Sequence, residues 1–322
     1  SSDLCDYKMV DCAGNADMYL NQMQTLADNG VKGFLLDPDS QMYPRVTELA
    51  QELVGDAWMG GMSFPYDEDG LMNHPFVGFD NYDFGIQECT YVVNYAKENF
   101  DWDPAVAGCI NIDYSTSELL HIRATGAEDT WKKLVPEAAD HFWNLDAAAL
   151  GMTEQAAFDL VSNLLAQHPE IEIWCINATL DNFAVGANSA IEQYGLLDNT
   201  VICVLGGTAL VNQWDQDVQN AWRGAIYTAQ PVYAEPIFGM MYYMMRGWCT
   251  AEEVWQDYTN VDSNGYGWLI LASEAIEYDT YRNFLEWVDW HSGFNWSNYE
   301  EWDGNEYPIL LDPNVYNSMS TQ

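Results

Sequence analysis

Short apolar runs alternate with longer amphipathic stretches along most of the chain, the pattern of strands joined by crossover helices. Tyr7 to Cys12 is the first apolar run, ending in Ala13-Gly14-Asn15. Ala16 to Asp28 has helical spacing, with Met18, Met23, Leu26 and Ala27 toward one side, and stops at Asn29-Gly30. Val31 to Leu36 reads as a strand ahead of the turn Asp37-Pro38-Asp39, and Pro44 to Leu53 as the next helix. Strands follow at 57–62 and 76–79, then a helix at 82–98. The rhythm restarts after Asp101-Trp102-Asp103-Pro104. Strands are expected at 105–112, 141–144, 171–176, 200–205 and 225–228, and helices at 117–134, 153–167 and 182–194. Beyond 250 the pattern weakens to a strand at 268–272 and a helix at 278–290, followed by an aromatic, acidic stretch from Phe294 to Gly304.

Repeated strand, helix, strand units imply parallel sheets with helices on both faces. The restart near Pro104 implies two such sheets, and 322 residues suffice for two cores. The expected fold class is α/β, with two doubly wound parallel-sheet lobes joined by a hinge. Residues 1–103 form the first lobe and 104–230 the second, and 231–322 return to the first as hinge crossing and C-terminal segment. Ligands of open parallel sheets bind beyond the carboxyl ends of the strands. That points to Asn15, Asp37, Phe64, Asp80, Asp113, Asn177, Thr208 and Gln230, each just after an expected strand. Turns and caps also need polar residues there, so position alone singles out none of them.

Charge narrows the partners. Fifty acidic residues against ten basic ones leave a net charge of -40, a field that repels phosphates and excludes nucleic acid. The acids are spread along the chain, as on a solvated surface that keeps a protein monomeric; an acid-lined cation site is the sharper alternative. Hydrophobic residues make up 48 %, enough for a folded core. No apolar run is long enough for a membrane span, and the opening Ser1-Ser2-Asp3 is no secretory signal, so an exported protein would be in its mature or trimmed form. Of seven cysteines, Cys12, Cys109, Cys175 and Cys203 lie in apolar strand-like runs, where a free thiol behaves as a small hydrophobe. Without a CxxC spacing, and with five histidines, no zinc site is expected. The chain has no nucleophile elbow, P-loop, dinucleotide fingerprint, HExxH or EF-hand, so no catalytic residue, cofactor or metal is assigned. Fourteen Trp and twenty Tyr offer faces for sugar rings as well as core mass, and Met240 to Met245 reads first as a packing stripe.

Three stretches give the chain a family likeness. Val10-Asp11-Cys12-Ala13-Gly14-Asn15, a helix and Gly30-Val31-Lys32-Gly33-Phe34-Leu35-Leu36-Asp37-Pro38-Asp39 form the first. Val77-Gly78-Phe79-Asp80-Asn81-Tyr82-Asp83-Phe84-Gly85 is the second, and Leu180-Asp181-Asn182-Phe183-Ala184-Val185-Gly186-Ala187, ahead of Gly195, the third. In order and spacing they resemble the type I periplasmic sugar-binding proteins, the ribose- and galactose-type solute receptors of ABC transporters, over residues 7 to 248. The resemblance implies ligand contacts at Asp37, Arg123, Asn177 or Asp181, and Gln230. Arginine supplies a rigid fork of donors, and Asp and Asn supply acceptors suited to vicinal hydroxyls. Where the family carries acids after two other strands, this chain has Phe64 with Tyr66, and Thr208; it also begins at the family's second strand.

The resemblance further implies a non-catalytic, monomeric, extracytoplasmic protein, periplasmic or lipid-anchored. It would close around a small polar ligand, a sugar by class, and present it to a membrane permease. One alternative is the ligand-sensing core of a transcription regulator, which needs a basic DNA-binding head that this chain lacks and its charge opposes. Another is a glycoside-acting enzyme on a similar fold.

Overall fold

The structure, a computed structural model, describes residues 6–13, 15–38, 40–62, 72, 74–228, 230–255, 265–270 and 273–285. In chain order the elements are α1 (Ala16–Asp28), β1 (Phe34–Leu36), α2 (Tyr43–Val54), β2 (Trp58–Met62), β3 (Phe76–Gly78) and α3 (Asn81–Asn99). Then come β4 (Ala107–Asp113), α4 (Glu118–Leu134), β5 (Phe142–Asp146), α5 (Glu154–Gln167), β6 (Ile173–Ala178) and α6 (Asp181–Tyr194). β7 (Thr200–Leu205), α7 (Thr208–Trp214), β8 (Trp222–Thr228), α8 (Gln230–Met245), β9 (Trp268–Ile270) and β10 (Ser273–Glu277) complete the order. The chain divides into two compact units: one takes residues up to 79 and the stretch 229–272, the other 80–228 and the stretch from 273.

The first unit holds a parallel sheet of order β1-β2-β3-β9. Its core gathers Met23, Phe34, Leu36, Val46, Ala50 and Trp58. α2 contributes Tyr43, Val46, Thr47 and Ala50, buried at the spacing of one helical face. The Met stripe is core as expected, with Met240, Met241 and Met244 all buried on α8. The run Tyr7 to Cys12 is not a strand. Tyr7 is 75 % and Met9 89 % exposed, and no described strand pairs with the run. So exposed a run, without a ladder partner among the described residues, leaves its backbone groups to water and gains little from burial.

The second unit holds a sheet of order β10-β8-β7-β6-β4-β5, parallel except for β10, which runs antiparallel to β8. All seven residues of β4 are buried, as expected for a central strand covered on both faces. α3 and α4 pair with each other, as do α5 and α6. β10 is absent from the sequence reading. Its glutamates give it a polar, half-exposed pattern that suits an edge strand but hides it from an apolar search. Of the helix expected at 278–290, residues 278–280 form a turn and 281–285 are helical.

The sequence boundary at 103/104 puts the helix 82–98 in the first lobe, whereas α3 packs in the second unit. The cause is a close helix crossing. A Cβ at Gly85 would stand 2.0 Å from the carbonyl oxygen of Arg123, and one at Gly126 would stand 2.2 Å from that of Tyr82. Only glycines allow α3 and α4 to approach so closely. From there Tyr91 reaches across the sheet to donate to the Arg223 carbonyl at 3.1 Å.

Candidate functional site

β6 and β7 are parallel neighbours, and their carboxyl ends open on a cleft of about 460 Å³ within the second unit. That volume suits a small organic ligand. Behind β6 the chain supplies Thr179, Leu180, Asp181 and Asn182; behind β7 it supplies Leu205, Gly206 and Thr208. Arg123 from α4 and Met152, ahead of α5, complete the wall. Gly206 and Gly207, at φ 108° and 88°, let the chain leave β7 and start α7 in a tight turn.

Asp181 fastens that turn. Its carboxylate accepts from the Gly207 and Ala209 amides, each at 2.9 Å, and so satisfies N–H groups that the start of α7 leaves orphaned. A carboxylate has about four acceptor positions, so this clamp leaves lone pairs for a ligand hydroxyl. Arg123 is fixed from two directions. Its Nε donates to Asn81 Oδ1 at 2.9 Å and its Nη1 to the Thr179 carbonyl at 3.2 Å, and its Cζ stands 6.0 Å from the Phe84 ring centre. The described residues offer Nη2 no hydrogen bond, which leaves its donors for the cleft. Burial lowers the guanidinium pKa to about 10, against the pull of Glu88. The cleft thus offers cationic donors, carboxylate and hydroxyl acceptors, and the apolar sides of Met152, Leu180 and Leu205. That set fits a polyhydroxyl ring with an apolar edge.

A second polar network lies at the ends of β4 and β5. Asp113 is fully buried and takes His121 Nδ1 at 2.7 Å, Asn144 Nδ2 at 3.0 Å and the Tyr114 amide at 2.6 Å. Ser115 donates to Asp146 through both its hydroxyl and its amide, and the hydroxyl bond leads in holding that carboxyl below its usual range.

Three of the residues expected at the site meet in the cleft: Arg123, Asp181 and Thr208. Asn177 does not line it. β6 extends through Ala178, so Asn177 sits inside the sheet, fully buried, with its Nδ2 directed at Cys109 Sγ at 3.4 Å. Asp37 belongs to the first unit, exposed behind β1, with its amide donating to the Tyr19 hydroxyl at 3.1 Å. Gln230 opens α8, also in the first unit. Phe64 and Tyr66 lie outside the described residues. Asn15 and Asp80 serve as helix caps, accepting from the Met18 and Asp83 amides. Sequence reasoning missed Thr179, Asn182, Met152 and the arginine's holder Asn81. Asn81 carried a signal, since it stands within the second family-like stretch.

No family model matches the sequence, and no curated protein matches it. Solved structures do match over most of the chain. A solute-binding protein of an ABC transporter from Bacillus halodurans C-125, with bound myo-inositol, aligns at TM-score 0.63 and 14 % identity, covering 87 % of this chain and 86 % of that one. A galactofuranose-binding protein aligns at TM-score 0.62 and 12 % identity over 89 % and 88 %. A periplasmic solute-binding protein from Actinobacillus succinogenes 130z, with bound D-allose, aligns at 0.61 and 15 % over 86 % and 87 %. The chain has the fold of the type I periplasmic sugar-binding proteins that its sequence resembles.

Proposed function

We propose that the protein is the solute-binding component of an ABC-type uptake system and takes a sugar or cyclic polyol into the cleft behind β6 and β7. The reading rests on one observation above the others: Arg123, Asp181 and Thr208 converge at the carboxyl ends of parallel strands. The fold likeness adds to it, because the solved neighbours are binding proteins. In this reading Arg123 donates to ring hydroxyls, Asp181 accepts from them while still clamping α7, and Thr208 does either. The protein works outside the cytoplasm, periplasmic or lipid-anchored, as a monomer. It releases its ligand unchanged to a membrane permease.

Thermal unfolding in the presence of D-allose, D-fucose, D-arabinose or myo-inositol tests the reading. A true ligand at about 100 times its dissociation constant stabilises the folded state by about 2.7 kcal/mol. The gain is expected for at least one of the four and is expected to vanish in Arg123→Ala. No shift with any of them, or turnover of an aryl glycoside by the pure protein, would overturn it.

A further inference from the structure

Among the described residues three charged side chains are buried: Glu88, Asp113 and Arg123. Asp113 is fully hydrogen-bonded and Arg123 is held by Asn81 and Thr179. Glu88 is different. It is fully buried on α3, and neither carboxyl oxygen closes a hydrogen bond. It stands in the row Asn81, Phe84, Glu88, whose spacing of three and four residues lies along one helix face. Asn81 holds Arg123, Phe84 lies beside its guanidinium, and Glu88 is its opposite charge. The row therefore runs behind the arginine that lines the cleft. The helix crossing at Gly85 and Gly126 leaves Arg123 little freedom to leave it.

A carboxylate stripped of water and of hydrogen bonds is costly to ionise. Burial pushes the Glu88 carboxyl up to about 8, although the charge of Arg123 and the Leu205 amide, which falls short of a closed hydrogen bond, pull the other way. The other titratable groups around this layer are thiols, a phenol, a more distant acid and Lys97, whose charge acts on Cys175 and whose Nζ donates to the Leu134 carbonyl. Cys203 faces it from β7, Cys175 from β6 and Cys109 from β4; Tyr91 lies along α3, and Glu277 on β10 acts on Cys203 and Tyr91. On β8, Arg223 turns its head away, to the Leu197 carbonyl. Burial raises the three thiols and the phenol, so they stay neutral while Glu88 titrates. Among the described residues Arg123 is the cation whose charge acts on Glu88.

We propose that Glu88 is a proton-operated positioning residue for Arg123, and so makes ligand binding in the cleft depend on pH. Uncharged, Glu88 leaves the guanidinium facing the cleft. Ionised, it draws the guanidinium back into the layer between α3 and β7 and takes donors from the ligand. The idea rests on the reading of this cleft as the sugar site, but its first half concerns the empty protein and stands apart.

The test uses the whole chain and two readouts, from about pH 6 to about pH 10. In the ligand-free protein, the Arg123 side-chain Nε–H resonance, assigned by its loss in Arg123→Lys, is expected to shift in step with the Glu88 carboxyl carbon. In Glu88→Gln it is expected to stay still. By calorimetry, D-allose, D-fucose, D-arabinose and myo-inositol are titrated separately. Any that binds is expected to weaken about tenfold as Glu88 ionises, the equivalent of one pKa unit of coupling. Its affinity is expected to be flat with pH in Glu88→Gln and sloped again in Glu88→Asp. If none of the four binds, the sugar reading falls, and the Arg123 resonance still decides this proposal. An Arg123 resonance indifferent to Glu88, or a pH slope of affinity that persists in Glu88→Gln, overturns it. Should Glu88→Gln fail to fold, the wild-type titration and Glu88→Asp carry the same decision.

Discussion

The two units put their polar groups in different places. In the first, the buried polar side chains among the described residues are Thr47 and His74. The second buries Asn81, Glu88, Asn111, Asp113, Arg123 and Asn177 as well as several threonines. Burying polar groups costs stability unless they are paired, so a fold concentrates them where they serve something besides stability. In the second unit Asn81 and Thr179 hold Arg123 at the cleft and Glu88 lies in the same row of α3, while Asp113 and Asn111 belong to the network at β4 and β5. The difference teaches that this unit combines two designs: an apolar α/β core, and buried polar side chains that include the holders of Arg123.

Changes among these polar side chains should have the largest effect. The folded-state pKa of Glu88, about 8, stands above its ordinary 4.5. Between those values the folded chain keeps a proton that the unfolded chain has lost. Stability from this group is therefore fully present below about pH 4.5 and is lost as pH rises through about 8. The loss amounts to about 5 kcal/mol relative to Glu88→Gln. Urea midpoints at intervals across that window measure it, and parallel profiles for the two proteins would show that the carboxyl is not the cause. Next comes the helix crossing of α3 and α4. Gly85→Ala drives a methyl into the Arg123 carbonyl, and a loss of about 1–3 kcal/mol is expected in the same unfolding assay. The smallest effect belongs to the first unit. Met9→Ser removes an exposed side chain from a run that pairs with nothing described, and is expected to change stability by less than about 0.5 kcal/mol. A larger loss there would show that Met9 itself is packed.

Much of this was legible in the sequence where the apolar period was long and its ends were marked. α1 runs from Ala16 to Asp28 and β7 from Thr200 to Leu205, as read. The family-like stretches led to Asp181, and the family resemblance led to Arg123. The misses have specific causes. β4 and β6 each run one or two residues past their apolar stretch, to Asp113 and Ala178. Asn177 reads from the sequence as a residue beyond a strand but lies within one, and Thr179 stands just past it at the cleft. Polar side chains at the inner ends of strands look the same in sequence as those just outside. Glu88 gave no signal at all, because in a chain with fifty acidic residues one more glutamate on a helix reads as surface.

β10 reaches further than its five residues suggest. It pairs Ser273 with Thr228 through to Glu277 with Gly224, and among the described residues it is the one strand of its sheet made after the stretch 229–272. As the chain leaves the ribosome, β8 emerges with one edge bare, and that edge stays bare until the whole intervening stretch has been synthesised. An uncovered edge on a half-made sheet invites pairing with other chains. The order of translation thus gives this protein an interval of aggregation risk, and the arrival of β10 closes it.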